Sequence, residues 1–209
     1  MEITWLGHSC FRLKGKGATL LTDPFDPSTG YVLGKPAADV VTVSINLPDH
    51  NYAQGVSGDP MVIDGPGEYE VSGILITGIV SRPGTEQEAR NTIYVLEMDD
   101  LRLCHLGDLL KVPKSDLVET VGVVDVLMVP VGGRDALDAS MAMETISVLQ
   151  PKIVIPMHYR TSLFGPELEP LDRFLREMGV KEPVPQPRLN VTRGSLPDTT
   201  QVVVLETKA

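Results

Sequence analysis

Short apolar runs, each about four to eight residues long, recur along this chain and limit what it can fold into. The clearest are Ala38–Ser44 (ADVVTVS), Val124–Val131 (VDVLMVPV) and Lys152–Met157 (KIVIPM). They are far shorter than the ~20 apolar residues needed to span a bilayer, and too continuously apolar for a sheet with one wet face. They read as strands covered on both sides.

The rest of the chain supports an α/β arrangement. Ile3–Leu6, Cys10–Leu13 and Ala18–Thr22 are strand candidates, with the turn-like KGKG at Lys14–Gly17 between the last two. Met61–Ile63, Tyr69–Val71, Ile74–Val80, Thr92–Met98 and Leu101–Cys104 follow, the last after an Asp99-Asp100 turn. Asp64–Glu70 carries turn signals, and the polar stretch Ser81–Arg90 reads as an exposed loop. The second half adds a short helix over Lys114–Val121 and another over Ala139–Leu149, which Asp138 caps and Pro151 stops. The order strand, helix, strand across Val124–Met157 implies a right-handed parallel crossover. A last helix near Leu168–Met178 and a closing strand over Gln201–Glu206 complete the reading. With no clear linker or repeat, residues 1–209 are expected to form a single domain.

Composition bears on partners and location. The net charge is −10, and the 18 basic residues are scattered. Nucleic-acid binding draws most of its affinity from Lys and Arg on phosphate, so no nucleic-acid partner is expected. The N-terminus lacks a basic segment followed by an apolar stretch, which points to a cytoplasmic protein with no membrane partner. Cys10 and Cys104 sit in apolar runs and read as buried free thiols. A homo-oligomer is compatible with all of this.

The chain has four histidines. His50 lies in the loop after ADVVTVS, His105 directly follows LRLC, and His158 directly follows KIVIPM. Loops leaving parallel strands converge at one sheet edge, where α/β proteins gather ligand-binding groups. Asp49 precedes His50, and Asp108 lies three residues after His105. Three histidines and two aspartates form a donor set suited to Zn²⁺ and its first-row neighbours. Any one of these histidines alone would more readily be explained as a hydrogen-bonded residue at a sheet edge.

In this order and spacing, ITWLGHSCFRL, LLTDPF, VTVS…PDHN, HLGDL, VPVGG and VIPMHY resemble the metallo-β-lactamase-type hydrolases, nearest the lactonase-like branch. The resemblance runs to about Thr161 and implies a four-layer αββα sandwich. The family signature His-x-His-x-Asp-His falls on Ile45-Asn46-Leu47-Pro48-Asp49-His50, so both leading histidines are replaced by aliphatic residues. The resemblance then implies metal ligands at Asp49, His50, His105, Asp108 and His158, with Asp49 and His105 taking part in catalysis. One metal position keeps only His105. The other keeps Asp49, His50 and His158, with Asp108 as bridge, which is enough for a mononuclear Zn²⁺ or Mn²⁺ site.

Ile45 and Leu47 are expected to fill the vacated space. The expected activity is single-ion hydrolysis of an ester, lactone or phosphoester in a small molecule. The alternative is an inactive binding or regulatory protein on the same fold, holding a structural ion or none. Four other features accompany the site. His8 in the GHS motif is either structural or a substrate contact. Asp23 in TDPF is either an orienter of a ligand histidine or a turn residue. Gly132-Gly133 marks a close backbone approach or a turn, and Arg134 and Tyr159 read as rim or surface residues.

Overall fold

The computed structural model describes residues 1–82, 84 and 89–207. Two sheets face each other. The first contains β1 (Glu2–Gly7), β2 (Cys10–Lys14), β3 (Thr19–Thr22), β4 (Val40–Thr42), β5 (Met61–Ile63) and, on the far side of β1, the two-residue β12 (Leu189–Asn190). Its order is β12-β1-β2-β3-β4-β5. The pairs up to β3 are antiparallel, and those from β3 to β5 are parallel.

The second sheet joins a meander to a parallel half. β6 (Gly67–Val71), β7 (Ile74–Arg82), β8 (Asn91–Met98) and β9 (Leu101–His105) are antiparallel neighbours. β9 then runs parallel to β10 (Val126–Pro130), β10 to β11 (Ile153–Met157), and β11 to the short β13 (Gln201–Val202). Met98 pairs with Leu101, and Asp99 and Asp100 both have positive φ, 52° and 62°, so the expected turn is a two-residue hairpin of the kind that matches strand twist.

The helices α1 (Ser115–Val121), α2 (Ala139–Leu149) and α3 (Leu171–Glu177) lie along the connections of the parallel half. The connections from β9 to β10 and from β10 to β11 join parallel neighbours in one direction across the sheet, so right-handed crossovers put α1 and α2 on one face, and α3 packs on α2. Asp138 caps α2 by accepting from Met141 N–H at 2.8 Å. The sheets, helices and connections share one large core. β10 and β11 are buried at every position, as strands sandwiched between a second sheet and helices must be.

Alternation along the first sheet divides neighbouring residues between two clusters. Trp5, Phe11, Leu20 and Val40 enter the large core, while Leu6, Cys10, Leu21 and Val41 join a smaller one on the opposite face. That outer face is covered by irregular chain with short 3-10 turns at Pro27–Thr29 and Ala53–Gly55, bringing Phe25 and Tyr31 onto it. The result is a layered α/β sandwich of the kind the resemblance implies, with helices over one sheet and an irregular layer over the other.

Several boundaries differ from the sequence reading by a residue or more, three of them in ways that bear on the architecture. The last helix begins at Leu171, not Leu168, because Pro170 holds extended backbone at its N-cap. Only Gln201–Val202 of the closing strand pairs with β11. β7 continues through Ser81 and Arg82 into the expected loop, of which residues 83 and 85–88 lie outside the described residues.

Candidate metal centre

The side chains of interest leave the sheets at one edge, several through strained turns. His8 follows β1 with φ +49°, Asp23 follows β3 with φ +37°, and His158 follows β11 with φ +50°. Left-handed backbone at a non-glycine residue costs on the order of 1 kcal/mol or more and persists where surrounding structure enforces it. The enforcement is visible here. The His8 carbonyl accepts from the Trp5 indole at 2.9 Å and from His158 N–H at 3.3 Å. Gly7 lies under the Tyr31 ring, where a Cβ would stand 2.7 Å from the ring carbons.

These turns bring His8, His50 and His158 together. One ring nitrogen from each lies within 4.8 Å of the others, and all three side chains are buried. Nε2 of His8 and Nε2 of His50 are 3.2 Å apart. Two carboxylates face the same point. Asp108 places Oδ2 3.4 Å from His50 Nε2 and Oδ1 3.5 Å from His158 Nε2. Asp49 places Oδ2 3.4 Å from His8 Nε2 and Oδ1 4.0 Å from His50 Nε2.

A divalent ion fits this donor set. Two imidazole nitrogens facing each other need a proton or a cation between them. Among the described residues, Asp108 Oδ1, which faces His158 Nε2, is buried without a hydrogen-bond partner. Unpaired buried polar atoms are costly, and nitrogen and carboxylate donors converging on one point are the chemistry of a first-row metal site.

His50 is clamped from behind. Its Nδ1 donates to Asp23 Oδ2 at 2.8 Å, which leaves Nε2 to face the cluster. Asp23 is held in turn by Ser44, whose N–H donates to Oδ1 at 2.7 Å and whose hydroxyl donates to Oδ2 at 2.5 Å.

Electrostatics follow from this crowding. Burial opposes charge on His50, but Asp108, Asp23 and Asp49 overrule it and raise the ring to about 10. Burial and the neighbouring His158 lower His8 to about 4, against the pull of Asp49. Burial alone would raise Asp49, yet its bond to His8 and the charge of His50 hold it below the usual carboxylate range. Asp23 is lowered as well, because His105, His50 and Ser44 outweigh its burial.

Of the residues expected from sequence, Asp49, His50, Asp108 and His158 come together. His105 does not join them. Its Nε2 donates to the Ser9 carbonyl at 2.9 Å and its Nδ1 accepts from Gly107 N–H at 3.3 Å, so both ring nitrogens are bonded within the protein. Burial lowers its pKa, consistent with a neutral ring.

His8 takes the third imidazole place instead. The sequence held a signal for it: like the others, it comes directly off the end of an apolar strand. The expectation that both Ile45 and Leu47 fill vacated space is corrected, because Ile45 is buried but Leu47 is 37% exposed. Gly132 marks a close approach, since a Cβ there would lie 2.2 Å from the His158 carbonyl oxygen. Tyr159 is buried against Trp5, with ring centroids 5.2 Å apart, and Arg134 is an exposed partner of Asp135 and Glu167.

Residues 2–158 match the family model of the beta-lactamase superfamily domain. The chain belongs to that superfamily. Its relatives include a UPF0173 metal-dependent hydrolase of Methanoregula boonei, 30% identical over 189 residues, covering 77% of this chain and 83% of the relative. A UPF0173 protein of Pyrococcus abyssi is 28% identical over 182 residues, covering 77% and 84%. Among solved structures, a proposed Zn-dependent hydrolase of the metallo-β-lactamase superfamily from Thermotoga maritima is 39% identical, covers 99% of both chains and superposes with a TM-score of 0.85. The chain is thus a member of the metal-dependent hydrolase group on the metallo-β-lactamase fold.

Proposed function

We propose that this superfamily member hydrolyses a small-molecule ester, lactone or phosphoester with one divalent ion, Zn²⁺ by donor chemistry. His8, His50, His158 and Asp108 would hold the ion. The observation that carries this reading is the approach of three buried imidazoles, with ring nitrogens within 4.8 Å of one another, at the edge where the two carboxylates also converge. When bound, such an ion supplies Lewis-acid polarisation and the acidification of water.

The protein's own groups have separable tasks in this scheme. Asp23 and Ser44 hold His50 in the tautomer that leaves Nε2 toward the site. Asp49 has 29% of its side chain exposed, against 0–6% for its neighbours in the cluster, so substrate and solvent can reach it. Held below the ordinary carboxylate range, it is ionised at neutral pH and suited to accept a proton from water. Phe164, edge-on to His8 with centroids 4.6 Å apart, gives the site an apolar wall that limits water.

The test compares Zn²⁺-loaded and chelator-stripped protein on p-nitrophenyl acetate, a γ-lactone and bis-p-nitrophenyl phosphate. Metal-dependent turnover of one class, abolished by Asp49→Ala, supports the reading. No turnover of any class by metal-loaded protein contradicts it.

A further inference from the structure

One residue that this chemistry does not use holds the turn carrying Asp108. Asn91 opens β8 and is wholly buried. Its Oδ1 accepts from Asp108 N–H at 2.8 Å. Its Nδ2 donates to the Leu106 carbonyl at 3.1 Å and to Ser81 Oγ at 2.7 Å. One amide therefore ties together the exit of β9, the HLGD turn and the end of β7. A carboxamide offers an acceptor and two N–H donors, and this position uses all three.

The turn is built around that amide. Gly107 has φ +55°, and a Cβ there would lie 2.5 Å from Asn91 Oδ1 and 2.6 Å from Ser44 Cβ. The chain closes over Asn91 only because residue 107 has no side chain. Asp108 leaves this closed turn with Oδ2 toward His50 and Oδ1 toward His158.

We infer that Asn91 is a positioning residue for Asp108, setting the direction in which that carboxylate enters the metal centre. The inference rests on the reading of Asp108 as a ligand. Asn91 acts through the Asp108 backbone. Among the described residues none of its hydrogen bonds reaches a histidine. Asn91→Ala leaves a buried N–H without an acceptor. Asn91→Asp keeps the size but loses both donors and adds a negative charge beside Asp108.

The test is a Co²⁺ titration of metal-free full-length protein, wild type against Asn91→Ala and Asn91→Asp. It is read by the visible absorption of the bound ion, with circular dichroism and thermal melting to confirm folding. The expected result is affinity about 10–100-fold weaker in both variants, with a changed absorption spectrum and a retained fold. A folded variant with wild-type affinity and spectrum overturns the inference and leaves the proposed metal centre standing. Failure of both variants to fold also overturns it, because Asn91 would then support the whole sheet and not one ligand. Wild-type protein that takes up no Co²⁺ removes the metal centre itself.

Discussion

Nδ1 of His50 lies 2.8 Å from Oδ2 of Asp23, and both side chains are wholly buried. The contact fixes which nitrogen of His50 carries a proton and which faces the cluster. Groups in this place typically change metal affinity without touching the metal. Asp23→Ala is expected to weaken Zn²⁺ binding about 10–100-fold, and Asp23→Asn less, since an amide oxygen can still accept from Nδ1. Competition with a chromophoric chelator measures this. Equal affinity in wild type and Asp23→Ala would remove the clamp from the account.

Stability of the metal-free protein should depend on pH in both directions. His50 is raised from 6.5 to about 10 in the folded state, so its contribution is fully present below 6.5 and is lost as pH climbs toward 10. His8 is lowered from 6.5 to about 4, so its contribution is present above 6.5 and is lost as pH falls toward 4. For these two groups together the maximum falls near 6.5. Thermal melting in chelator should show His50→Gln flattening the alkaline limb and His8→Gln the acid limb. Unchanged limbs in these variants would contradict the assignment.

Gly132 tests how tightly the turn after β10 sits on the His158 backbone. A Cβ at Gly132 would lie 2.2 Å from the His158 carbonyl oxygen and 3.0 Å from Tyr159 Cα, and backbone cannot swing aside as a flexible side chain can. Gly132→Ala should destabilise by on the order of 1–3 kcal/mol in urea unfolding. It should also weaken metal binding, because His158 must move. A variant with wild-type midpoint and affinity would show that the two turns are not coupled.

The two aliphatic residues at the altered signature should behave differently from each other. Ile45 is 2% exposed and Leu47 37%. Ile45→Ala is expected to cost about 2–5 kcal/mol, the range for emptying a buried site. Leu47→Ala should stay within about 0.5 kcal/mol, as a substitution at a partly open position. Comparable losses in urea unfolding would restore the idea that both side chains fill a former metal pocket.

Much of the fold was legible because it depends on patterns that a sequence displays. The buried runs at 126–130 and 153–157, the Asp138 cap and the Asp99-Asp100 hairpin are local features, and the structure has them. The gathering of His50, His158, Asp49 and Asp108 was legible too, because each follows a strand that ends at one edge. The third imidazole was harder to read. His8 and His105 both stand at strand ends, and what separates them is direction. His8 turns through a left-handed residue toward His50, while His105 remains in β9 and meets the Ser9 carbonyl. Periodicity reports which face a strand residue takes, but not where a side chain points after a turn with positive φ. The last helix is shorter than its apolar pattern for a simpler reason, since Pro170 inside that pattern sets the start at Leu171.

Whether His8 completes a one-ion centre is read from metal content per chain, by elemental analysis of protein purified without chelator or a metal-binding tag. About one ion per chain is expected, lost in His8→Ala and retained in a folded His105→Ala variant. No metal after incubation with excess Zn²⁺, two ions per chain, or full retention in His8→Ala would contradict it.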